Sequence, residues 1–499
     1  VAGCHRAFVD LTERCLAVTR EPSVAAVVRF LHTDPLDALR LPDEFDPGAT
    51  ITFRVHGRSM LEPAEMPIDL ASVQSFWAAL NDPASAGNGQ IMQCLICGQE
   101  RPVLDRLQGK IKGVPGGQTA GTSIISANEE AFESYGLEAS LIAPTCADCG
   151  ERFTKALNEL LSKRENHIVL GGSVFIFWTR REESTPWFGL LTDPQPEQVR
   201  DLLAAVLKTR RTGEFDATAF YGAVLSGSGG RAVVRDWIDT TVGVAQQRLT
   251  AWFAAQRIID PYGEEGRPLG IYALAAGTVR DLKDVPPTTL RTLLRAALAG
   301  TPLPADLLSQ AVRRNQAEQG ITRQRAALIK LVLLSLEPEQ DGGEDSMIKL
   351  DPAHPSPAYH CGRLLAVLEE AQRAAIPGIK ATLVDRFYGS ASTAPGSVFP
   401  RLVRGAQPHL SKLERDREAA YHAIQQRLED IQGNLTRYPK VLALEEQGLF
   451  ALGYYHQRAF DRAQAREAAE RRRNAASTAG QQPELESKSA AAPAVEGEN

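Results

Sequence analysis

Cys94-Leu95-Ile96-Cys97-Gly98 and Cys146-Ala147-Asp148-Cys149-Gly150 bracket a 48-residue segment, and they constrain the chain more tightly than any other stretch. A CxxC turn lets two thiolates point the same way, and two such turns supply the four soft ligands of a tetrahedral Zn2+ site. Gly98 and Gly150 each follow the second cysteine of a pair, where a sharp turn lets backbone N–H groups approach the sulfurs. The alternative is two unrelated buried pairs, but paired motifs of this kind are specific. Cys94, Cys97, Cys146 and Cys149 leave no open coordination position, so the zinc is expected to be structural, not catalytic.

Between the pairs, residues 109–136 read GKIKGVPGGQTAGTSIISANEEAFESYG, with five glycines from Gly109 to Gly121. So many glycines exclude a helix or a well-paired strand. Lys110 and Lys112, with Gly116, Gly117, Gln118, Ser123 and Asn128, suit close approach to a DNA duplex. Lysine neutralises phosphate, glycine lets backbone near the base edges, and amide side chains hydrogen-bond bases. The alternative is a surface loop with solvated charges, because Glu129, Glu130 and Glu133 follow. There is no P-loop: Gly109-Lys110 runs into Ile111 without the phosphate-cradling spacing.

The 499 residues suffice for two to four domains, and 43% hydrophobic with 23% charged residues is ordinary globular composition. The expected class is α+β: a mixed α/β N-terminal body with the four-cysteine zinc knuckle site, and a C-terminal helical bundle. Residues 1–93 read as a partial N-terminal α/β region, with 24–31 a short helix and 50–55 (TITFRV) an alternating strand. Residues 94–150 form the zinc-stapled, DNA-reading segment. In the body at 151–336, residues 151–163 predict an amphipathic helix, 173–178 (SVFIFW) a buried strand and 220–225 another. The pattern turns helical from about Trp237, with a strong helix over 323–336. Residues 337–346 (EPEQDGGEDS) are the linker and 347–465 the bundle, which carries 15 Lys and Arg against 12 Asp and Glu, a net +3. Residues 466–499 are expected to be disordered.

The net charge of −6 gives the whole molecule no nucleic-acid-like basicity, so any such role rests on local patches. The seven cysteines suit a reducing cytoplasm better than a disulfide framework. No apolar run approaches the roughly 20 residues that span a bilayer, and the start has no signal-peptide pattern, so a cytoplasmic location without membrane contact is expected. Residue 1 is Val, so the chain begins at an alternative start codon or short of its natural N-terminus.

Residues 351–360 (DPAHPSPAYH), 385–392 (DRFYGSAS) and 399–409 (FPRLVRGAQPH) form a second constellation. A metal-dependent nuclease reading uses His354, His360 and Asp385, with Asp351 nearby. No two of these stand at i and i+4 on one helix, so hydrogen-bonded structural histidines are the simpler account. Arg363, Arg373, Arg386, Arg401 and Arg404 recur across the same helices, either as a solvated face or as a row facing strand phosphates. No HExxH, GxSxG or dinucleotide fingerprint occurs, and the expectation is a protein that is not an enzyme. A stand-alone zinc-ribbon interaction module is a third reading.

The runs IKGVPGGQTAGTSIISANEEAFESYG, HPSPAYHCGRLLAVLEEAQ, DRFYGSAST and VFPRLVRGAQPHLSKLE, in order from about Cys94 to Leu413, resemble the large subunit of the type I-C CRISPR Cascade complex. The resemblance implies an RNA-guided surveillance complex whose backbone subunit and crRNA-processing subunit hold the guide. The large subunit then recognises the protospacer-adjacent motif of double-stranded target DNA, aids duplex opening and R-loop formation, and helps recruit a helicase-nuclease. Guide pairing reads sequence, while protein reads a short motif and the backbone. The resemblance also implies a helical small subunit on the displaced non-target strand, made by internal translation. Met347 follows Gly342-Gly343-Glu344, whose codons (GGN-GGN-GAR) can spell a purine-rich ribosome-binding site two codons upstream.

Overall fold

The computed structural model describes residues 2–33, 45–46, 48, 50–57, 64–81, 90–107, 109–127, 129–180, 186–212, 216–336 and 346–479. The chain divides into two compact units, Val1–Lys112 with Thr119–Glu159 and Gly113–Gln118 with Leu160–Asn499.

In the first unit, α1 (Ala2–Thr19), α2 (Pro22–His32) and α3 (Ala71–Leu80) close a small core around Cys15, Val24, Val73 and Phe76. Arg20, in the left-handed conformation (φ 56°), turns the chain into α2, where Pro22 sits in the first turn and forfeits no helical hydrogen bond. The TITFRV stretch, expected as a strand, makes only the single bridge Val55–Glu65 among the described residues. Alternation yields a strand only where a neighbour pairs along its length. Next, β1 (Ile91–Gln93) pairs antiparallel with β2 (Glu100–Pro102), and α4 (Ala147–Ser162) starts directly after Cys146. The helix expected from residue 151 therefore begins four residues earlier.

The second unit is built on an antiparallel sheet in the order β3-β4-β5-β6. Its strands are β3 (His167–Leu170), β4 (Ser173–Thr179), β5 (Ala219–Ser228) and β6 (Arg231–Thr241), with α5 (Pro196–Thr212) between β4 and β5. Phe175, Phe177, Phe220, Val224 and Ile238 enter one large core from this sheet. Gly222 faces Phe177 across the ladder, and a Cβ there would meet the Phe175 ring at 2.6 Å. Trp237, where the sequence suggests that helix begins, lies in β6 instead. A bulge at Val224/Leu225 breaks the ladder there, and with it the alternation that identifies a strand.

Helices α6 (Val242–Ala255), α7 (Ile271–Ala275), α8 (Pro287–Ala299), α9 (Ala305–Glu318) and α10 (Arg323–Leu336) complete this core. Gly300 ends α8 in the left-handed conformation (φ 67°), the usual glycine cap. After residue 346 come α11 (Pro357–Ala375), α12 (Leu383–Thr393), α13 (Pro395–Asp416), α14 (Glu418–Gly433) and α15 (Leu444–Ala479). They enclose a second core that includes Leu364, Leu368, Tyr388, Phe399, Leu413, Ile431 and Phe450. Helices α11 and α15 cross at glycine on both sides. A Cβ at Gly362 would overlap the Phe450 carbonyl, and one at Gly453 would overlap the Tyr359 carbonyl.

Two boundary expectations change. Tyr359, Ala451, Leu452, Tyr455 and Ala459 belong to the same core as α8–α10, so the segment boundary near residue 346 separates stretches of chain, not cores. Helix α15 continues to Ala479, beyond residue 466, where disorder was expected. Linker residues 337–345 and tail residues 480–499 lie outside the described residues. No helix among the described residues is long and apolar enough to cross a membrane.

Candidate metal centre and glycine-rich loop

The first CxxC is the turn of the β1–β2 hairpin. The Cys94 N–H donates to the Gln99 carbonyl (2.9 Å), the Gly98 N–H donates to the Cys94 carbonyl (2.8 Å), and Gly98 takes φ 71°. That left-handed position is the one where glycine is required. The second CxxC is drawn in by the same strand. Val103 bridges Cys146, and the Leu104 N–H donates to the Thr145 carbonyl (3.0 Å). Gly150 is not a turn residue: it lies in the first turn of α4, where a Cβ would meet Leu107 at 2.8 Å. Its smallness serves packing.

The four sulfurs converge. The ligand atoms of Cys94, Cys97, Cys146 and Cys149 all lie within 4.8 Å of one another, and among the described residues they form the only such group of three or more metal-binding side chains. Cys97 Sγ and Cys146 Sγ are 4.0 Å apart. Zinc–sulfur bonds of about 2.3 Å in a tetrahedron put sulfurs about 3.8 Å apart, so the quartet fits that ion.

The protons of this group are unevenly held. Burial pushes the Cys94 thiol up, but N–H groups of Cys146, Cys97 and Ile96 outweigh it and bring the pKa down to about 6. Cys149 is pushed up to about 12 by burial and by the neighbouring sulfurs of Cys146, Cys97 and Cys94. One thiolate forms readily, and gathering all four requires a compensating cation. Arg101 Nη1 pairs with Asp148 Oδ2 at 3.1 Å, tying β2 to the second turn.

The loop beyond β2 is tied by a single antiparallel bridge. Ile111 and Thr122 exchange N–H···O bonds, both at 2.8 Å. Asn158 of α4 receives the Lys112 N–H (2.9 Å) and donates to the Lys110 carbonyl (2.9 Å). Lys110 Nζ donates to Ser123 Oγ at 2.8 Å. Ser123 is buried, so it positions Lys110 and does not reach a base edge directly.

In the second unit, residues 113–118 lie along the β5–β6 turn. The Gly227 N–H donates to the Pro115 carbonyl (2.7 Å), and the Gln118 N–H donates to the Gly229 carbonyl (3.1 Å). Gly116 holds φ 77°, and a Cβ there would meet the Gly227 oxygen at 2.8 Å. A Cβ on Gly227 would in turn overlap the Gly117 backbone. The close approach that Gly116 and Gly117 permit is therefore to this turn. Lys112 and Gln118 remain exposed, and Asn128 lies outside the described residues.

The arginine row does not form one face. Arg363 is buried: its Nε donates to Gln457 Oε1 (3.1 Å) and its Nη1 to the Pro352 carbonyl (3.3 Å), so it is not free for phosphate. Arg373 pairs with the buried Glu369 at 2.8 Å. Arg386 and Arg401 lie 5.3 and 5.6 Å from the Phe387 ring centroid, and Arg404 is exposed. The nuclease triad is dispersed among other tasks. His354 stacks on Tyr359 with centroids 4.3 Å apart, His360 Nε2 bonds the His354 carbonyl (2.7 Å), and Asp385 caps α12 through Thr382.

Sequence reasoning missed Asn158, Gly227, and the arginines Arg458, Arg462 and Arg466. The last three recur every fourth residue along α15, a spacing that puts them on one helix face.

A family model described as CRISPR-associated protein (Cas_Csd1) matches residues 1–460. No curated protein matches the chain.

Proposed function

The chain belongs to the Cas_Csd1 family of CRISPR-associated proteins, and from that premise we propose that it is the large subunit of an RNA-guided type I-C surveillance complex. In this reading it recognises the protospacer-adjacent motif on duplex DNA, aids opening of the duplex and formation of the R-loop, and helps recruit the helicase-nuclease. The backbone subunit and the crRNA-processing subunit hold the guide. The zinc quartet is a staple that keeps the loop carrying Lys110 and Lys112 in place, with no catalytic task.

One observation carries the proposal. Gln118 is exposed, yet its backbone N–H is anchored on the Gly229 carbonyl at a turn where glycine meets glycine. An amide side chain on a fixed backbone can discriminate a base pair, because its hydrogen-bond geometry is set before binding. Exposed Lys112 supplies phosphate attraction without sequence preference. The helical small subunit starting at Met347 joins the same complex in this reading, along the displaced strand.

The test is binding of the assembled complex to duplexes that carry or lack the motif. Gln118→Ala is expected to cost about 1–3 kcal/mol on the motif duplex and little on others. Equal losses on both duplexes, or none on either, would defeat the base-reading role.

A further inference from the structure

A cleft of about 240 Å3 in the second unit is lined by Arg373 of α11, Arg458 and Arg462 of α15, Asp385 at the start of α12, and Gly320 in the turn between α9 and α10. Glu369 also lines it and is 2% exposed. Its carboxylate accepts from Arg373 Nε (3.0 Å) and Nη2 (2.8 Å), Thr382 Oγ1 (3.0 Å) and the Tyr454 hydroxyl (2.6 Å). Arg458 Nη1 joins it at 3.2 Å. This buried carboxylate fixes two guanidiniums at the cleft. Each guanidinium has five N–H donors, so neither is exhausted by these contacts. Arg462, one turn beyond Arg458, is exposed and has no carboxylate partner among the described residues.

We infer that this cleft binds a phosphodiester of an unpaired nucleic-acid strand. Guanidinium forks match phosphate oxygens in pairs, which an ammonium does not. Three guanidiniums against the carboxylates of Glu369 and Asp385 leave a net +1 in the lining. That balances the single charge of a diester better than the roughly −1.5 to −2 of a terminal phosphate. Duplex DNA is stiff over about 150 base pairs, so its phosphates stay on a rod, whereas an unpaired strand bends to bring one phosphate into a recess.

The cleft has a property that follows from its walls. Pro261, Gln319 and Gly320 precede residue 337, while Arg373, Arg458 and Arg462 follow residue 347. A polypeptide beginning at Met347 would carry the arginines without that wall, so the site belongs to the long chain alone. The inference rests on the nucleic-acid-bound reading proposed above and adds a second contact point, separate from Gln118.

The test uses the full chain and a fluorescein-labelled single-stranded oligothymidylate, followed by anisotropy across a salt series. Arg462→Ala is expected to weaken binding roughly 5- to 10-fold and to lower the log–log salt slope by about 0.7, the value for one phosphate on a single strand. Arg462→Lys should restore the slope, because the charge returns, but only part of the affinity. Unchanged slope and affinity in Arg462→Ala, with the thermal midpoint intact, overturn the inference. Inorganic phosphate or a mononucleotide that displaces the oligonucleotide at lower concentration would instead mark a free-anion site. Duplex binding with the same Arg462 dependence would remove the strand preference. Motif discrimination on duplexes, read through Gln118, is measured apart. No discrimination in the unsubstituted chain, or discrimination untouched by Gln118→Ala, with the Arg462 effect preserved would sink the proposed function and leave the cleft standing.

Discussion

Cys97 Sγ lies 4.0 Å from Cys146 Sγ, one sulfur from the hairpin turn and one from the residue before α4. These cysteines are 49 residues apart, so whatever bonds both closes the intervening chain into a loop. We expect one zinc per chain by elemental analysis. Cys97→Ser should lose it and lower the thermal midpoint, with a cost of several kcal/mol, since metal binding here is folding energy. A chelator should reproduce the shift in the unsubstituted chain. Zinc-free protein with four freely reactive thiols would exclude the metal.

Lys110 and Lys112 should behave differently although both flank Ile111 in one loop. Lys112→Ala should weaken all duplexes alike and lower the salt slope by about 0.9, one phosphate on B-form DNA. Ser123→Ala frees Lys110 Nζ from its 2.8 Å anchor, and should therefore weaken binding without changing the slope, because no charge is lost. A slope change in Ser123→Ala would contradict the positioning role.

His456 should make the C-terminal half sensitive to acid. The ring is fully buried beside the Tyr359 hydroxyl (2.9 Å), and burial together with Lys330 and His354 holds its pKa down at about 3. In the unfolded chain the ordinary value of about 6.5 applies. The folded value is depressed, so its contribution is complete above pH 6.5 and is lost as pH falls from 6.5 toward 3. At pH 5 the loss is on the order of 2 kcal/mol. Burial also lowers His354 and His360, which act in the same direction. Urea midpoints measured from pH 7 to pH 5 should fall more steeply for the unsubstituted chain than for His456→Gln. Parallel curves would remove this histidine from the account.

The short polypeptide from Met347 should be visible directly. Synonymous recoding of Gly342, Gly343 and Glu344 is expected to abolish it and leave the long chain untouched. Denaturing gels of the native complex that show no short band before recoding would end the idea. The second core lies between Ala358 and Tyr454, but a chain starting at Met347 would leave Tyr359, Ala451, Leu452, Tyr455 and Ala459 without α8–α10 against them, so the short product should need a partner in the complex to cover that face.

What could be read from the sequence was what local chemistry controls. The cysteine quartet follows from spacing, because two CxxC turns have few other uses. Buried strand β4 and helix α10 follow from their apolar patterns. Strand β6 did not, since its bulge and its Arg235-Asp236 pair break the alternation that marks strands. The glycine-rich loop was legible as a place of close approach, but not what it approaches: Gly227 lies more than a hundred residues away. Arg363 shows the same limit, because an arginine buried against Gln457 is indistinguishable in sequence from one facing solvent. Arg458 and Arg462 were there to be found by their four-residue spacing, but only the cleft gives that spacing a direction.

The glycine crossing of α11 and α15 also sets an order of events during synthesis. Gly362 and Gly453 bring together backbones 91 positions apart, and the Phe450 and Tyr359 carbonyls leave no space for a side chain at either glycine. A ribosome adding about 5–20 residues per second needs several seconds to supply the second helix after the first. Until then the emerging α11 presents Leu364, Leu365 and Leu368 without α15 against them. A nascent chain in that state is the natural client of a chaperone that holds apolar segments, and the interval lasts equally long whether translation starts at the first residue or at Met347.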